Sequence, residues 1–317
     1  MTCCSCYTES IMNKPPEPVI ELSKVTKKFR SFKAISDVSV RVEKGEIVGF
    51  VGVNGAGKTT TINALLGFTS PTSGSVQLFG VRISPASAHR SHRRIGYASG
   101  DMELPDQITG RQYLRFVLNQ SKQNHSERLQ QLTDIFRPQL DKKIHTLSRG
   151  NKQKIALIAA FVTSPDLVIL DEPTSGLDPI MQTAFLELIK SEKERGATVF
   201  MSSHYLQEVA EVCTRVLLMK NGRIVEDLSS DQLRAAGGKT VHVIASAKIE
   251  LPKQHAVQIQ TSQTAQGSEV IFVFKGPLHL LQEWLAGVKH VTDVTITERT
   301  LDAEFRELYA VEEEEES

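Results

Sequence analysis

One stretch restricts the fold of this chain more than any other. Glu46 to Val51 is a short, mostly apolar run, EIVGFV, that leads into the glycine-rich string Gly52-Val53-Asn54-Gly55-Ala56-Gly57-Lys58-Thr59. Thr60 to Leu66 then reads as a helix that stops at Gly67. An apolar run without polar alternation is a strand covered on both faces. A buried strand that passes through glycines into a helix calls for a parallel sheet with helices packed against it.

The glycine string also states a chemistry. It fits the pattern of a glycine, four residues, then Gly57, Lys58 and Thr59. Gly52, Gly55 and Gly57 let the backbone turn tightly and bring N–H groups against phosphate oxygens. Thr59 and Thr60 open a helix whose end favours an anion. Lys58 supplies a mobile full charge for the β- and γ-phosphates. The Thr59 hydroxyl suits Mg²⁺, a hard cation with oxygen ligands.

Two further strand ends carry matching groups. Leu167 to Leu170 are consecutive apolar residues ahead of Asp171 and Glu172 in LVILDEPTSGLDP. The carboxyl end of such a strand is where open α/β sheets bind ligands. Asp171 there can hold the magnesium, and Glu172 stands where it can take a proton from an attacking water. His204 follows a second apolar strand, Thr198 to Met201, in the string SSH; an imidazole there can touch the γ-phosphate and orient the water.

Taken with LSRGN at 147–151, this ordered set resembles the nucleotide-binding domain of ATP-binding-cassette (ABC) transporters, over about residues 19–236. LSRGN is similar to that family's signature loop, Leu-Ser-Gly-Gly-Gln, with Arg149 for one glycine and Asn151 for the glutamine. SGLDP at 175–179 resembles the D-loop, and His204 the switch histidine. Phe29 sits where the family places a ring against adenine, although an aromatic there also suits a core. The resemblance implies that Phe29, Gly52, Val53, Asn54, Gly55, Ala56, Gly57, Lys58, Thr59 and Thr60 bind ATP. It implies the same for Ser148, Arg149, Gly150, Asn151 and Asp178, with catalytic roles for Lys58, Glu172 and His204. Thr59 and Asp171 would hold Mg²⁺.

The chain departs from the family at one loop. A glutamine usually follows the Ile-Gly-Tyr strand; here IGYASGDMELPD places Gly100 and Asp101 at about that position. Asp101 could give an oxygen to the metal, or be an ordinary loop acid. The resemblance also implies a partner. Two copies, or one copy and a homologous subunit, stack so that each signature loop closes on ATP held by the other. Ser148 and Gly150, which open an apolar helix over Lys152–Val162, would present that loop.

Composition narrows the setting. The 317 residues carry 37 basic and 37 acidic side chains, which gives no support for nucleic acid as the main partner. The longest wholly apolar run, about Ile155 to Val162, is far short of the roughly twenty residues of a membrane span. Any transport then needs a separate integral membrane subunit, with this chain cytoplasmic and peripheral on the inner face of the membrane. Cys3, Cys4 and Cys6 crowd the N-terminus with no histidine near, and Cys213 lies in an apolar helix; a reducing compartment fits.

The domain pattern follows from element spacing. Residues 1–18 read as a flexible leader. Val19–Val42 reads as two or three strands of an antiparallel flank, Gly74–Phe79 and Ile95–Ala98 as strands. Residues 105 to about 160 read as helix-rich, which the resemblance makes a helical subdomain over about 100–163; alternating strands and helices follow at 167–170, 180–195, 198–202, 205–213 and 215–219. Asn221-Gly222 marks a hairpin. The expected fold class is α/β, which the resemblance makes a P-loop, ABC-type ATPase domain over 19–236 with an antiparallel β flank, plus a small α+β domain over 239–310 and an acidic tail over 311–317. That small domain shows strands at 239–246, 256–261, 269–275 and 291–297, and helices at 277–286 and 301–309.

Three functions compete at this point. The first is the ATP-hydrolysing subunit of a transporter, of the stand-alone bacterial exporter type. The second is a soluble cassette ATPase acting on ribosomes or DNA; such relatives usually carry two cassettes or a long coiled coil. Here Lys58 and Asp171 are 113 positions apart (171 minus 58), and no heptad run fills them. The third is a P-loop GTPase or kinase; a GTPase would want Asn-Lys-x-Asp, and Asn151–Lys154 ends in lysine.

Overall fold

The computed structural model of the chain describes residues 17–298 other than 102, 237, 253, 265 and 266. Residues 1–16 of the leader, with Cys3, Cys4 and Cys6, the helix expected over 301–309 and the acidic tail lie outside the described residues. The chain divides into two compact units. One holds residues up to His204 together with Val212–Glu226; the other holds Tyr205–Glu211 together with the residues from Asp227 on.

The first unit opens with β1 (Ile20–Phe29) and β2 (Phe32–Val42), then β3 (Ile47–Val51) and α1 (Lys58–Leu65). It continues through β4 (Ser73–Leu78), β5 (Val81–Arg82), the single turn α2 (His89–His92) and β6 (Ile95–Ser99). A helical arm follows, made of α3 (Gly110–Leu118), α4 (Ser126–Phe136) and α5 (Arg149–Phe161). Then come β7 (Leu167–Asp171), α6 (Pro179–Glu194), β8 (Thr198–Ser203), α7 (Leu206–Val212), β9 (Arg215–Lys220) and β10 (Arg223–Ser229). Most of α7 groups with the second unit rather than with the sheet whose rhythm it follows in sequence.

Two sheets share one core. The antiparallel flank has the order β2-β1-β4-β5: two strands lie within 19–42, and β4, read as a separate strand at 74–79, joins them with the short β5. The main sheet has the order β10-β9-β3-β8-β7-β6, with β3, β6, β7, β8 and β9 parallel. Strands β3, β7 and β8 are buried at every position, the signature of a sheet covered on both faces. Val25 and Val38 of the flank, Ile62 and Leu65 of α1, and Phe50, Ile169 and Phe200 of the main sheet belong to one apolar cluster. Phe50 and Phe200 meet with ring centroids 5.3 Å apart.

Local rules set the helix starts. Thr109 and Gln112 form a reciprocal capping box at α3. Asp178 caps α6, its Oδ1 accepting from the Met181 N–H at 3.0 Å, and Pro179 occupies the first turn. The arm is tied down by charge. Glu192 of α6, 1% exposed, accepts from Arg128 of α4 and from Arg195 Nε at 3.0 Å. Arg195 Nη2 also reaches the Pro165 carbonyl at 2.7 Å. With two arginines on one buried carboxylate, loss of either leaves Glu192 paired with the other.

The second unit adds α8 (Ser230–Ala236), β11 (Lys239–Ala245), β12 (Ala256–Thr264), β13 (Gly267–Phe274), α9 (Leu278–Gly287) and β14 (Val291–Glu298). Its sheet has the order β12-β13-β11-β14 and is antiparallel throughout. Val241, Val243, Phe272 and Phe274 form its buried face with Leu281 of α9. Trp284 packs edge-on to Phe272 at 5.0 Å and donates to the Glu250 carbonyl at 2.9 Å. Cys213 is buried just beyond the end of α7, not within it, and burial raises its thiol pKa far above the ordinary range.

Candidate active site

Sheet order assembles the site. Strand β8 lies between β3 and β7 and runs parallel to both. The glycine loop after β3, Asp171 and Glu172 at the end of β7, and Ser202, Ser203 and His204 at the end of β8 therefore open at one carboxyl edge. Residues from three distant parts of the sequence are brought together by strand pairing alone.

The glycine loop is shaped from behind. A Cβ on Gly52 would stand 2.5 Å from the Met219 carbonyl oxygen. Gly57 has φ 110°, and a Cβ there would stand 2.6 Å from the Ala34 oxygen and 2.8 Å from Met219 Cε. Neither position admits a side chain. The Asn221-Gly222 turn braces the loop too: the Gly222 N–H donates to Ala56 O at 2.9 Å, and Gly222 O accepts from Ser36 N at 2.8 Å. Both turn residues have positive φ, 48° and 75°, as a tight hairpin requires. Val53, Asn54 and Gly55 form the exposed lip of the loop. Gly57 caps α1 with no side-chain acceptor, which leaves first-turn N–H groups at Lys58, Thr59 and Thr60 open to an anion.

The charged groups converge. Lys58, 5% exposed, donates to Gly52 O at 2.7 Å and lies 3.5 Å from Glu172 Oε1. His204 Nδ1 lies 3.5 Å from the other oxygen, Glu172 Oε2. Asp171 is 4% exposed, and its Oδ1 accepts from Ser202 Oγ at 2.6 Å. Ser202 Oγ also accepts from the Glu172 N–H at 3.0 Å, and Glu172 holds a left-handed backbone, φ 50°. Such a conformation at a non-glycine residue is a strained one that the surroundings must over-determine. Ser202 supplies that determination and was not singled out by sequence reasoning. Its only sequence signal is its place one residue after the apolar run and two before His204. Gln153 of α5 was likewise missed; it is buried and donates to the Pro173 carbonyl at 2.8 Å, just past Glu172.

The remaining expected residues have contacts of their own. Phe29 is 50% exposed at the tip of the β1–β2 hairpin, with Lys27 Nζ 4.9 Å from its ring centroid; a core role for it falls away. Ser148 is the N-cap of α5, its Oγ accepting from Asn151 N at 3.4 Å and Asn151 Nδ2 at 3.2 Å. Arg149 and Gly150 lie in the first turn of α5, which begins three residues earlier than the sequence pattern places it. Asp178 is engaged as the α6 cap. The Asp101 carboxylate accepts from Arg149 Nη2 at 2.8 Å.

Metal chemistry fits the donors. Asp171 and Thr59 offer hard oxygens beside the phosphate loop, the kind Mg²⁺ takes. Among the described residues no group of three or more His, Cys, Asp and Glu could hold a metal ion. A cation here would draw its other ligands from phosphate and water, as Mg²⁺ commonly does.

The chain is similar to known proteins. The family described as ABC transporter matches residues 35–175. The probable multidrug ABC transporter ATP-binding protein YbhF of Escherichia coli is 34% identical over 231 residues, 71% of this chain. The chain spans only 40% of that relative's length. The bacitracin transport ATP-binding protein BcrA of Bacillus licheniformis is 34% identical over 70% of this chain and 73% of its own. A solved ATP-binding subunit of an ABC transporter superimposes with a TM-score of 0.64 at 30% identity, covering 68% of this chain and 92% of that one. With the phosphate loop, the strand-end carboxylates and the signature-like loop in place on this fold, the chain belongs to the ATP-binding proteins of the ABC transporter family.

Proposed function

We propose that this chain binds and hydrolyses ATP and thereby powers export through a separate membrane subunit. The observation that carries this reading is the position of Glu172. Its carboxylate is poised between Lys58 and His204, at the end of the strand that carries Asp171. In the proposed cycle Lys58 leaves Gly52 O and Glu172 for the β- and γ-phosphates. Glu172, released from Lys58, accepts a proton from water, and His204 orients that water against the γ-phosphate. Asp171, kept in place by Ser202, and Thr59 would hold Mg²⁺, which neutralises charge on the phosphates. Phe29, exposed at its hairpin tip, would stack on the adenine.

The first turn of α5, with Ser148, Arg149, Gly150 and Asn151, would close on ATP bound to a second copy or a homologous subunit, beside Asp178. Loss of the γ-phosphate would then weaken the interface, so that hydrolysis becomes opening. Among the described residues no helix is long and apolar enough to cross a membrane, which supports a pathway in another subunit. The chain would then sit at the cytoplasmic face.

Glu172→Gln tests the reading. The amide keeps the size and loses the base, so turnover should fall by roughly 10²–10⁴-fold while ATP affinity persists and ATP-bound dimers accumulate. Phosphate release and light scattering, with and without ATP, measure both; undiminished hydrolysis refutes the base assignment.

A further inference from the structure

We infer that Asp101 is the positioning residue for Arg149, and that this pair sets the first turn of α5 against the loops that follow β6 and β7. The two residues are among the chain's departures from the family pattern at the signature loop and at the loop after β6. In the structure they meet. Arg149 Nη2 donates to Asp101 Oδ1 at 2.8 Å and also to Ser175 Oγ at 2.9 Å. One guanidinium therefore ties the start of α5 to two loops that lie 26 and 48 residues from it in sequence.

The backbone around the pair is built for close approach. The stem of Arg149 lies over Gly176, φ 81°, where a Cβ would stand 3.3 Å from Arg149 Cγ and 3.4 Å from Cδ. A Cβ on Gly150 would stand 2.7 Å from Gly176 O. A Cβ on Gly100 would stand 2.7 Å from Glu172 O and 2.9 Å from Ser175 Cβ, and the Gly100 N–H donates to Asp171 O at 2.8 Å. The loop bearing Asp101 is thus hooked directly to the strand end that bears Asp171 and Glu172. A glutamine in place of Gly100 would not fit against Ser175.

On this inference Asp101 serves Arg149 rather than a metal. Its carboxylate is taken by Arg149 and is 90% exposed, whereas Asp171 is 4% exposed. It also gives the arginine a task. Ser148 is occupied as the helix cap, so what Arg149 grips decides how the first turn of α5 faces outward. A long side chain held before its partner arrives loses less freedom on binding. The pair is exposed on both sides, so its effect belongs to dimer closure rather than to folding.

The inference rests on the reading that this end of α5 meets nucleotide on a second copy, and the test separates the two. In a Glu172→Gln background, dimer formation is followed by light scattering against ATP concentration. Asp101→Asn should raise the ATP midpoint by about two- to fivefold, the worth of an exposed pair. Asp101→Glu should restore it. Arg149→Ala should raise it as well, and adding Asp101→Asn to Arg149→Ala should change nothing more. ATP affinity of the single chain and its thermal transition should not move with Asp101→Asn, nor, with Glu172 intact, should the Mg²⁺ concentration at half-maximal turnover. An unmoved or lowered midpoint overturns the positioning role, and a shifted Mg²⁺ requirement makes Asp101 a metal ligand instead. If the Glu172→Gln chain never dimerises with ATP, the dimer reading itself fails and takes this inference with it.

Discussion

Ser202 holds both carboxylate-bearing residues of the site through one oxygen, which donates to Asp171 and accepts from the backbone of Glu172. Replacing it with alanine leaves a buried carboxylate oxygen and a strained N–H without their partner. We expect Ser202→Ala to lose about 1–3 kcal/mol of stability and roughly 10–100-fold in turnover, with ATP affinity less affected. Urea unfolding and a phosphate-release assay check this; wild-type turnover would show that Glu172 keeps its pose unaided. Lys58, Asp171, Glu172 and His204 were legible in the sequence because each follows an apolar strand and carries a charge that a phosphate site demands. Ser202 was not, because a serine at a strand end is ordinary and its partners lie about thirty residues away.

The glycine loop acts as one element with its supports. Its sequence announces the loop, but its shape depends on Met219 and Ala34, which press against Gly52 and Gly57 from other strands. Gly57→Ala should cost about 1–3 kcal/mol for the left-handed backbone alone, and further for the clash with the Ala34 carbonyl. Gly45→Ala is the control: φ is 81° there, yet a Cβ would meet nothing within 4 Å. Thermal unfolding of the two variants should rank Gly57→Ala clearly below Gly45→Ala, and calorimetry should find its ATP binding lost. Equal stability would mean the loop relaxes freely. Among other elements, the buried strands of the main sheet were readable from apolar runs alone. The short β5 and α2 were missed, since two to four residues carry no period; so was α8, whose apolar positions are too few to mark a face. The start of α5 was placed late because its first turn is polar, and a cap at Ser148 rather than hydrophobic spacing defines it.

At the scale of the molecule, ligand binding should stabilise one unit and leave the other alone. Every group assigned to nucleotide lies in the first unit; the second unit has its own core around Phe272 and Leu281. ATP at about 100 times its dissociation constant should add about 2.7 kcal/mol to the first unit. For a domain of that size the transition should rise by roughly 5–10 °C. Scanning calorimetry of the Glu172→Gln chain, with and without ATP, measures the shift. Lys58→Ala in the same chain should abolish it; a shift that survives would place the binding energy outside the phosphate loop.

By itself, the order of residues determined the parallel sheet, the phosphate loop and the chemical types at the site, because burial, helix capping and anion binding act over a few neighbouring residues. Folding alone decided which residues brace those groups and which departures from the family pattern face each other. Asp101 and Arg149 are 48 positions apart, and only the packing of the α5 first turn onto the loops after β6 and β7 makes them a pair. An ion pair needs both charges within a few ångströms, and that distance is set by the whole sheet, not by either residue's own stretch of chain.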